Sequence, residues 1–139
     1  MRKTILVVLA AVALGVAAAG PSAAQAACSQ WDITNMSGPQ SNGWGLWLAT
    51  PYAAQSGSTL YGNAFTSPGG GKPGMWGGIV GSVVGSHVSF SVAWQNGAAG
   101  IYDGWIDQWG FVSGTTYDKW NPRSRADWHF SQRARCVAG

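Results

Sequence analysis

The chain has 139 residues, of which nine are tryptophan and 21 are glycine, and only 9% of them are charged. This length suits one small domain and excludes a multidomain enzyme. The formal net charge of +3 includes Arg2 and Lys3, which belong to an N-terminal segment with the features of an export signal. Without them the charge falls to +1, so the composition predicts neither nucleic acid nor an anionic membrane as a partner.

Residues 1–26 are predicted to be a secretory signal peptide. Two basic residues follow Met1, an apolar run extends from Ile5 to Ala19, and the small residues of Ala24-Gln25-Ala26 form a cleavage site. A transmembrane anchor is the alternative, but about 15 apolar residues fall short of the roughly 20 that cross a bilayer. We therefore expect an exported protein, extracellular or in the cell envelope, without a membrane span. Its mature part would be one β-barrel domain over residues 27–139.

The two cysteines, Cys28 and Cys136, stand at opposite ends of the mature domain. An even number of cysteines in an oxidising compartment predicts a disulfide between them. Closing a loop of about 100 residues contributes up to roughly 4 to 5 kcal/mol in the chain-entropy model. A reactive thiol is the rival interpretation, but it needs an unpaired sulfur.

Period-2 alternation of apolar and polar residues recurs along the mature chain, and helical periodicity is missing. Turn-forming residues divide the chain into eight predicted strands, at 30–36, 43–50, 58–66, 76–84, 87–95, 100–107, 111–118 and 125–137. Short connections favour sequential antiparallel pairing, and glycines within strands favour the sharp bends that close a sheet. The predicted fold is all-β: an eight-stranded antiparallel up-and-down meander that closes into a small barrel, with its first and last strands in contact.

Motifs for catalysis or metal binding are not evident. Asp103 and Asp107 share a strand face about 13 Å apart at 3.3 Å per residue, which exceeds the roughly 5 to 9.5 Å between the carboxylates of glycosidases. His87 and His129 have no cysteine or carboxylate near them at the spacing of a zinc site. We predict that the protein is not an enzyme and holds no metal and no cofactor.

Nine tryptophans exceed the four or five that the core of a barrel this small is expected to hold. The others are expected at the surface, where tryptophan commonly contacts carbohydrates, ring-bearing ligands or proteins. Pairing of these side chains across strands, as a stabiliser of the sheet, is the alternative. Two functions remain open: a non-catalytic barrel that binds a small ring-bearing ligand or saccharide at an aromatic-lined open end, and a structural or protein-interaction module of the cell surface.

Three short motifs resemble the avidin and streptavidin group of biotin-binding barrels. They are Leu60-Tyr61-Gly62, Val92-Ala93-Trp94 with the turn Gln95-Asn96, and the stretch from Gln108-Trp109 through Ser113-Gly114-Thr115-Thr116 to Trp120. The chain is also similar to a broader set of small secreted barrels that share a Gly-Thr-Thr-Tyr-Asp, Asn-Pro and terminal-Cys pattern. Both resemblances imply a small β-barrel, and the second implies no particular activity.

The resemblance to avidin also implies a ligand site. Trp94, Trp109 and Trp120 match tryptophans that enclose the ligand, Thr66 matches a hydroxyl that contacts it, and Asp127 matches a buried acid near the last strand. Ala64 departs from the pattern, because a ligand-binding tyrosine stands there in the family. Since this change removes a hydrogen-bond donor, we expect any biotin binding to be micromolar or weaker.

Overall fold

The computed structural model describes residues 27–48 and 53–139, and the predicted signal peptide lies outside the described residues. Within these ranges the chain forms eleven β-strands and no α-helix. The strands are β1 (Gln30–Asp32), β2 (Met36–Pro39), β3 (Gly45–Leu48), β4 (Ala53–Ser56), β5 (Thr59–Ser67), β6 (Met75–Val84), β7 (His87–Trp94), β8 (Ala99–Ile106), β9 (Val112–Asp118), β10 (Asn121–His129) and β11 (Arg135–Ala138).

One antiparallel sheet contains most of these strands, in the order β10-β9-β8-β7-β6-β5-β3-β2. From β5 to β10 each strand pairs with the next strand along the chain. The short β4 pairs with the first half of β5, and β3 pairs with its second half. The predicted antiparallel meander is therefore confirmed, including the hairpin of β7 and β8 at Asn96–Gly97.

The two edges of this sheet approach each other at β2 and β10. Gln40 and Trp128 form an isolated antiparallel bridge, and the Ser41 amide donates a hydrogen bond to the Asp127 carbonyl over 2.8 Å. Further along, the Ser131 amide donates to the Ser37 carbonyl, also over 2.8 Å. Because these contacts join the first and last strands of the sheet, it forms a nearly closed barrel, as predicted.

Two predicted strands were each too long. The first, 30–36, divides into β1 and β2, because the Asp32 carboxylate accepts hydrogen bonds from the amide and hydroxyl of Thr34 and turns the chain. The last, 125–137, divides into β10 and β11. β1 and β11 pair with each other in a separate two-stranded sheet. Strand β4 was not predicted at all.

A disulfide joins Cys28 to Cys136, with the Cα atoms 5.8 Å apart, which confirms the predicted pairing. It lies next to the pairing of Trp31 with Cys136 in the two-stranded sheet. A hydrogen bond of 2.9 Å from Arg135 to the Asp32 carboxylate also joins the two strands. The disulfide therefore fastens β1 and β11, at the two ends of the described fold, to each other beside the barrel.

Inward-facing side chains of the barrel pack into one apolar core. Phe90 and Tyr102 stack with their ring centroids 4.7 Å apart, and Trp128 meets both rings edge-on at about 6 Å. Two tryptophans, Trp31 and Trp128, are buried, fewer than the four or five expected. More tryptophans than expected therefore lie outside the core. Trp44 and Trp94 are half-buried, and the other five are exposed.

Candidate functional site

A cavity of about 250 Å³ opens at one end of the barrel. The hairpin loop between β2 and β3 and the turns after β7 and β9 surround its mouth. Four aromatic residues line it, Trp44, Trp94, Tyr102 and Tyr117. The polar lining consists of Gln40, Asn42, Thr66, Asn96, Thr116, Asp118 and Ser124. The cavity therefore combines flat apolar surfaces with several hydrogen-bonding groups.

Trp94 is the last residue of β7 and continues the inward alternation of Phe90 and Val92. Its backbone closes the following turn, since its amide donates to the Ala98 carbonyl over 2.9 Å. The indole reaches across the next strand at Gly100, where an added Cβ would lie 3.0 Å from Nε1 of Trp94 and 2.7 Å from the Tyr102 ring. The absence of a side chain at Gly100 thus gives both rings their place in the cavity wall.

Tyr102 provides the link between the cavity and the aromatic core, because it lines the cavity and stacks on Phe90. Gln40 Nε2 donates a long hydrogen bond of 3.4 Å to the phenol oxygen. Burial raises the pKa of Tyr102 to about 12, although hydrogen bonds with Thr116 and Gln40 act in the opposite direction. The phenol is therefore neutral at physiological pH.

The mouth of the cavity carries two asparagines, each followed by a glycine. Asn42 Oδ1 accepts a hydrogen bond from the Trp44 amide over 3.1 Å, and Asn96 Oδ1 accepts one from the Ala98 amide over 3.0 Å. Each turn uses the oxygen of its asparagine, so the NH₂ group of that side chain is the part available to a ligand. Two amide donors thus stand at the entrance.

Thr66 and Asp118 complete the polar lining on opposite sides. Thr66 is buried, and its hydroxyl donates to the Gly45 carbonyl over 2.7 Å. Its lone pairs can still accept a hydrogen bond. Asp118 Oδ1 accepts a hydrogen bond from the Trp120 amide over 3.0 Å. Among the described residues that line the cavity, Asp118 is the one with a charged side chain.

The structure brings together two of the five predicted ligand-binding residues, Trp94 and Thr66. Trp120 lies just beyond Asp118 at the same end, but it is 69% exposed and is not part of the lining. Trp109 was misplaced: it lies in the turn between β8 and β9, at the opposite end of the barrel. The eight residues of β8 separate these two ends by about 23 Å.

The role of a buried acid assigned to Asp127 is also wrong, because this residue is exposed. Its neighbours Ala126 and Trp128 are buried and take the inward positions of β10. Since side chains alternate along a strand, Asp127 has to face outward. Its backbone, which bonds to Ser41, helps to close the barrel instead.

The sequence analysis missed most of the lining residues, and Tyr102, Trp44 and Gln40 are the three that matter most for the site. Tyr102 shares the inward parity of the buried residues Gly104 and Ile106 in β8, and this alternation would have found it. Trp44 directly follows the turn signal Asn42-Gly43, which does not show the direction of its side chain. Gln40 is polar and buried, so no hydrophobic pattern could have placed it in the interior.

The chain matches no family model, no curated protein and no solved structure. The resemblance to the avidin group therefore remains a prediction from the residues alone. Across residues 27–48 and 53–139 no cluster of three or more histidine, cysteine or acidic side chains could hold a metal ion. The same residues contain no helix long and apolar enough to cross a membrane.

Proposed function

We propose that the protein is exported and that its barrel binds a small ring-bearing ligand or a saccharide in the cavity, without catalysing a reaction on it. The observation that carries this proposal is the half-buried pair Trp44 and Trp94, which lines the same cavity as several hydrogen-bonding side chains. Ligand sites typically combine apolar walls with a few polar groups that fix orientation. The indole faces would cover the ring, and the amides and hydroxyls would bind its substituents.

The size and charge of the cavity restrict the kinds of ligand that it can bind. Its volume of about 250 Å³ lies just below the range of roughly 300 to 1,000 Å³ for pockets that enclose drug-sized molecules. One ring with its substituents suits this space. Because Asp118 is the one charged side chain among the described lining residues, an anionic ligand would meet repulsion and no cation.

Biotin is a useful first ligand because of the resemblance, but we expect weak binding. Ala64, where the family has a tyrosine, is fully buried in β5 and offers no hydroxyl. A buried polar atom of a ligand without a partner costs roughly 1 to 3 kcal/mol. Binding of biotin should therefore be micromolar or weaker.

Indole N–H resonances report on the cavity directly, because Trp44 and Trp94 line it. All nine tryptophans lie in the proposed mature domain, so the exported protein contains each of these probes. Titrations of the ¹⁵N-labelled protein would use biotin, simple monosaccharides and small aromatic compounds. A ligand that enters the cavity should shift the resonances of Trp44 and Trp94 but not that of Trp109 at the far end. Failure of every compound to move the Trp44 and Trp94 resonances would overturn the proposal.

Two variants separate binding from folding. Trp94→Ala removes an indole from the cavity wall and should weaken binding at least about tenfold, as expected if stacking on the ring contributes more than 1.4 kcal/mol. Trp105→Ala removes an indole that is 62% exposed on the outer face of β8 and should leave the affinity unchanged. Equal affinities in the two variants would exclude the indole of Trp94 from the site.

A protein-interaction role is the second candidate, and the opposite end of the barrel favours it. Trp105 and Trp109 are both 62% exposed there, and Phe111 is 43% exposed. The imidazole of His87 stacks on Trp105 with a centroid distance of 4.6 Å. Aromatic side chains are enriched at protein interfaces. Concentration-dependent self-association that Trp105→Ala abolishes would support this alternative.

A further inference from the structure

A second depression, which we call the outer groove, lies on the outside of the barrel wall next to the cavity. Its volume is about 380 Å³. Gln40 and Thr66 face the cavity, whereas their chain neighbours Pro39 and Ser67 line the outer groove. Successive side chains of β2 and β5 point to opposite faces of the sheet, so one depression lies on each side of the same wall. Trp44 lines both of them, and stands on the rim where they meet.

Trp47 gives the outer groove a fixed flat surface. Its indole lies over the backbone of Gly45, where an added Cβ would be 2.8 Å from the ring. Phe65 supports the indole from the neighbouring strand, with a centroid distance of 5.7 Å, and Trp76 packs on Phe65 at 5.0 Å. These contacts hold the ring in place and still leave Trp47 38% exposed. The exposed face of the Trp47 indole is a preorganised stacking surface.

The other residues that line the outer groove are mostly small, and they are uncharged. Its lining includes three serines, Ser37, Ser67 and Ser131, together with several glycines. No charged side chain is among the described residues that line it. A ligand that suits this surface is uncharged, forms hydrogen bonds with hydroxyls and has an apolar face for the indole of Trp47.

We infer that the ligand is a neutral oligosaccharide that extends from the cavity over the rim into the outer groove. One terminal ring would occupy the cavity, the chain would cross at Trp44, and a later ring would stack on Trp47. Sugar rings combine an apolar C–H face with hydroxyls at the edge, and this is the combination that both depressions present. The inference rests on the proposed function, because it assigns the chemical class and the length of the ligand that the cavity takes.

The test compares sugars of different length by calorimetry. The probes are glucose, xylose, mannose and N-acetylglucosamine, each with its linear β-1,4-linked tetrasaccharide, and maltotetraose as an α-linked form. For the sugar that fits, we expect the tetrasaccharide to bind at least about tenfold more tightly than the monosaccharide, a difference that corresponds to about 1.4 kcal/mol. The gain would come from the contacts outside the cavity.

Variants assign that gain to the outer groove. Trp47→Ala should remove the advantage of the tetrasaccharide and leave the affinity for the monosaccharide unchanged, whereas Trp47→Phe should keep part of the advantage. Trp94→Ala should weaken both sugars, and the exposed control Trp105→Ala should weaken neither. Thermal unfolding of each variant shows whether a loss of binding reflects a loss of fold.

The outcomes separate this inference from the proposed function. Equal affinities for monosaccharide and tetrasaccharide, or an unchanged tetrasaccharide affinity in Trp47→Ala, would overturn the oligosaccharide and leave the cavity proposal intact. Binding of biotin or a small aromatic compound, with no sugar bound, would have the same meaning. If no sugar and no other ring-bearing compound binds, the oligosaccharide inference and the proposed function are both overturned.

Discussion

The indole of Trp94 and the backbone of Gly100 lie against each other across the hairpin of β7 and β8. An added Cβ on Gly100 would be 3.0 Å from Nε1 of Trp94, and 2.7 Å from the ring of Tyr102. One residue without a side chain therefore lets two aromatic rings line the cavity from neighbouring strands. The shape of the proposed site depends on this position.

We expect Gly100→Ala to reduce both stability and binding. The new methyl group would push Trp94 and Tyr102 out of their places, and overpacking of this kind costs typically about 1 to 3 kcal/mol. Denaturant unfolding would measure the loss of stability. The indole resonance of Trp94 should shift in the absence of any ligand, because its ring has moved.

Gly78→Ala is the matched control. Gly78 lies on β6 in the same sheet, and an added Cβ there would meet nothing within 4 Å. Alanine at such a site should be neutral or stabilise by up to about 1 kcal/mol through the unfolded state. If both alanine variants are equally stable, the contact at Gly100 is not as tight as the structure indicates.

The disulfide should contribute strongly to stability, since it closes a loop over a sequence separation of 108 residues. In the chain-entropy model, removal of such a crosslink costs about 4 to 5 kcal/mol. The double variant Cys28→Ser with Cys136→Ser should lower the free energy of unfolding by this order. Hydrogen exchange should rise first in β1 and β11, which pair beside the bond. A loss below 1 kcal/mol would show that the hydrogen bonds of these strands hold the ends together without it.

Processing gives a second check on the cysteines. The exported protein is expected to begin near Ala27 and to contain no free thiol. Intact-mass measurement should show a mature chain that gains two hydrogens on reduction and no alkylation before it. A mass that retains residues 1–26, or alkylation of the unreduced protein, would contradict this prediction.

The sequence was a good guide where strands are long and regular. From β5 to β9 the predicted bounds agree with the structure to within one residue, because one buried face imposes a strict alternation of side chains. It was a poor guide at the two ends. The turn at Asp32 depends on hydrogen bonds from its carboxylate to Thr34, and such local bonds leave no mark on the hydrophobic pattern.

The same alternation of side chains explains why only part of the candidate site could be predicted from the sequence. Trp94 continues the inward parity of β7, so its place in the cavity follows from the same alternation that buries Val92. Trp109 and Trp120 follow the ends of β8 and β9, where parity no longer applies, and their assignment came from motif resemblance alone. Gln40 enters the cavity through the closure of β2 on β10, a long-range contact that no local pattern indicates.

The stability of the protein should fall at alkaline pH because of Tyr102. Burial raises the pKa of this phenol from 10 to about 12, so the folded state favours the protonated form. The resulting stability is fully present below pH 10, where the phenol is protonated in both states, and is lost as the pH rises from 10 through 12. The loss is of the order of 2 to 3 kcal/mol. Free energies of unfolding measured by circular dichroism between pH 8 and pH 12 would follow it.

Tyr102→Phe should reduce this dependence of stability on pH. Its stability below pH 10 will be lower if the hydrogen bonds to Gln40 and Thr116 contribute, but the decline between pH 10 and pH 12 should be smaller than in the wild type. Tyr61→Phe, at a tyrosine that is 48% exposed, is the control and should keep the decline. An equally steep decline in Tyr102→Phe would show that another group is responsible. The phenol at the base of the cavity would then be more accessible to water than its burial indicates.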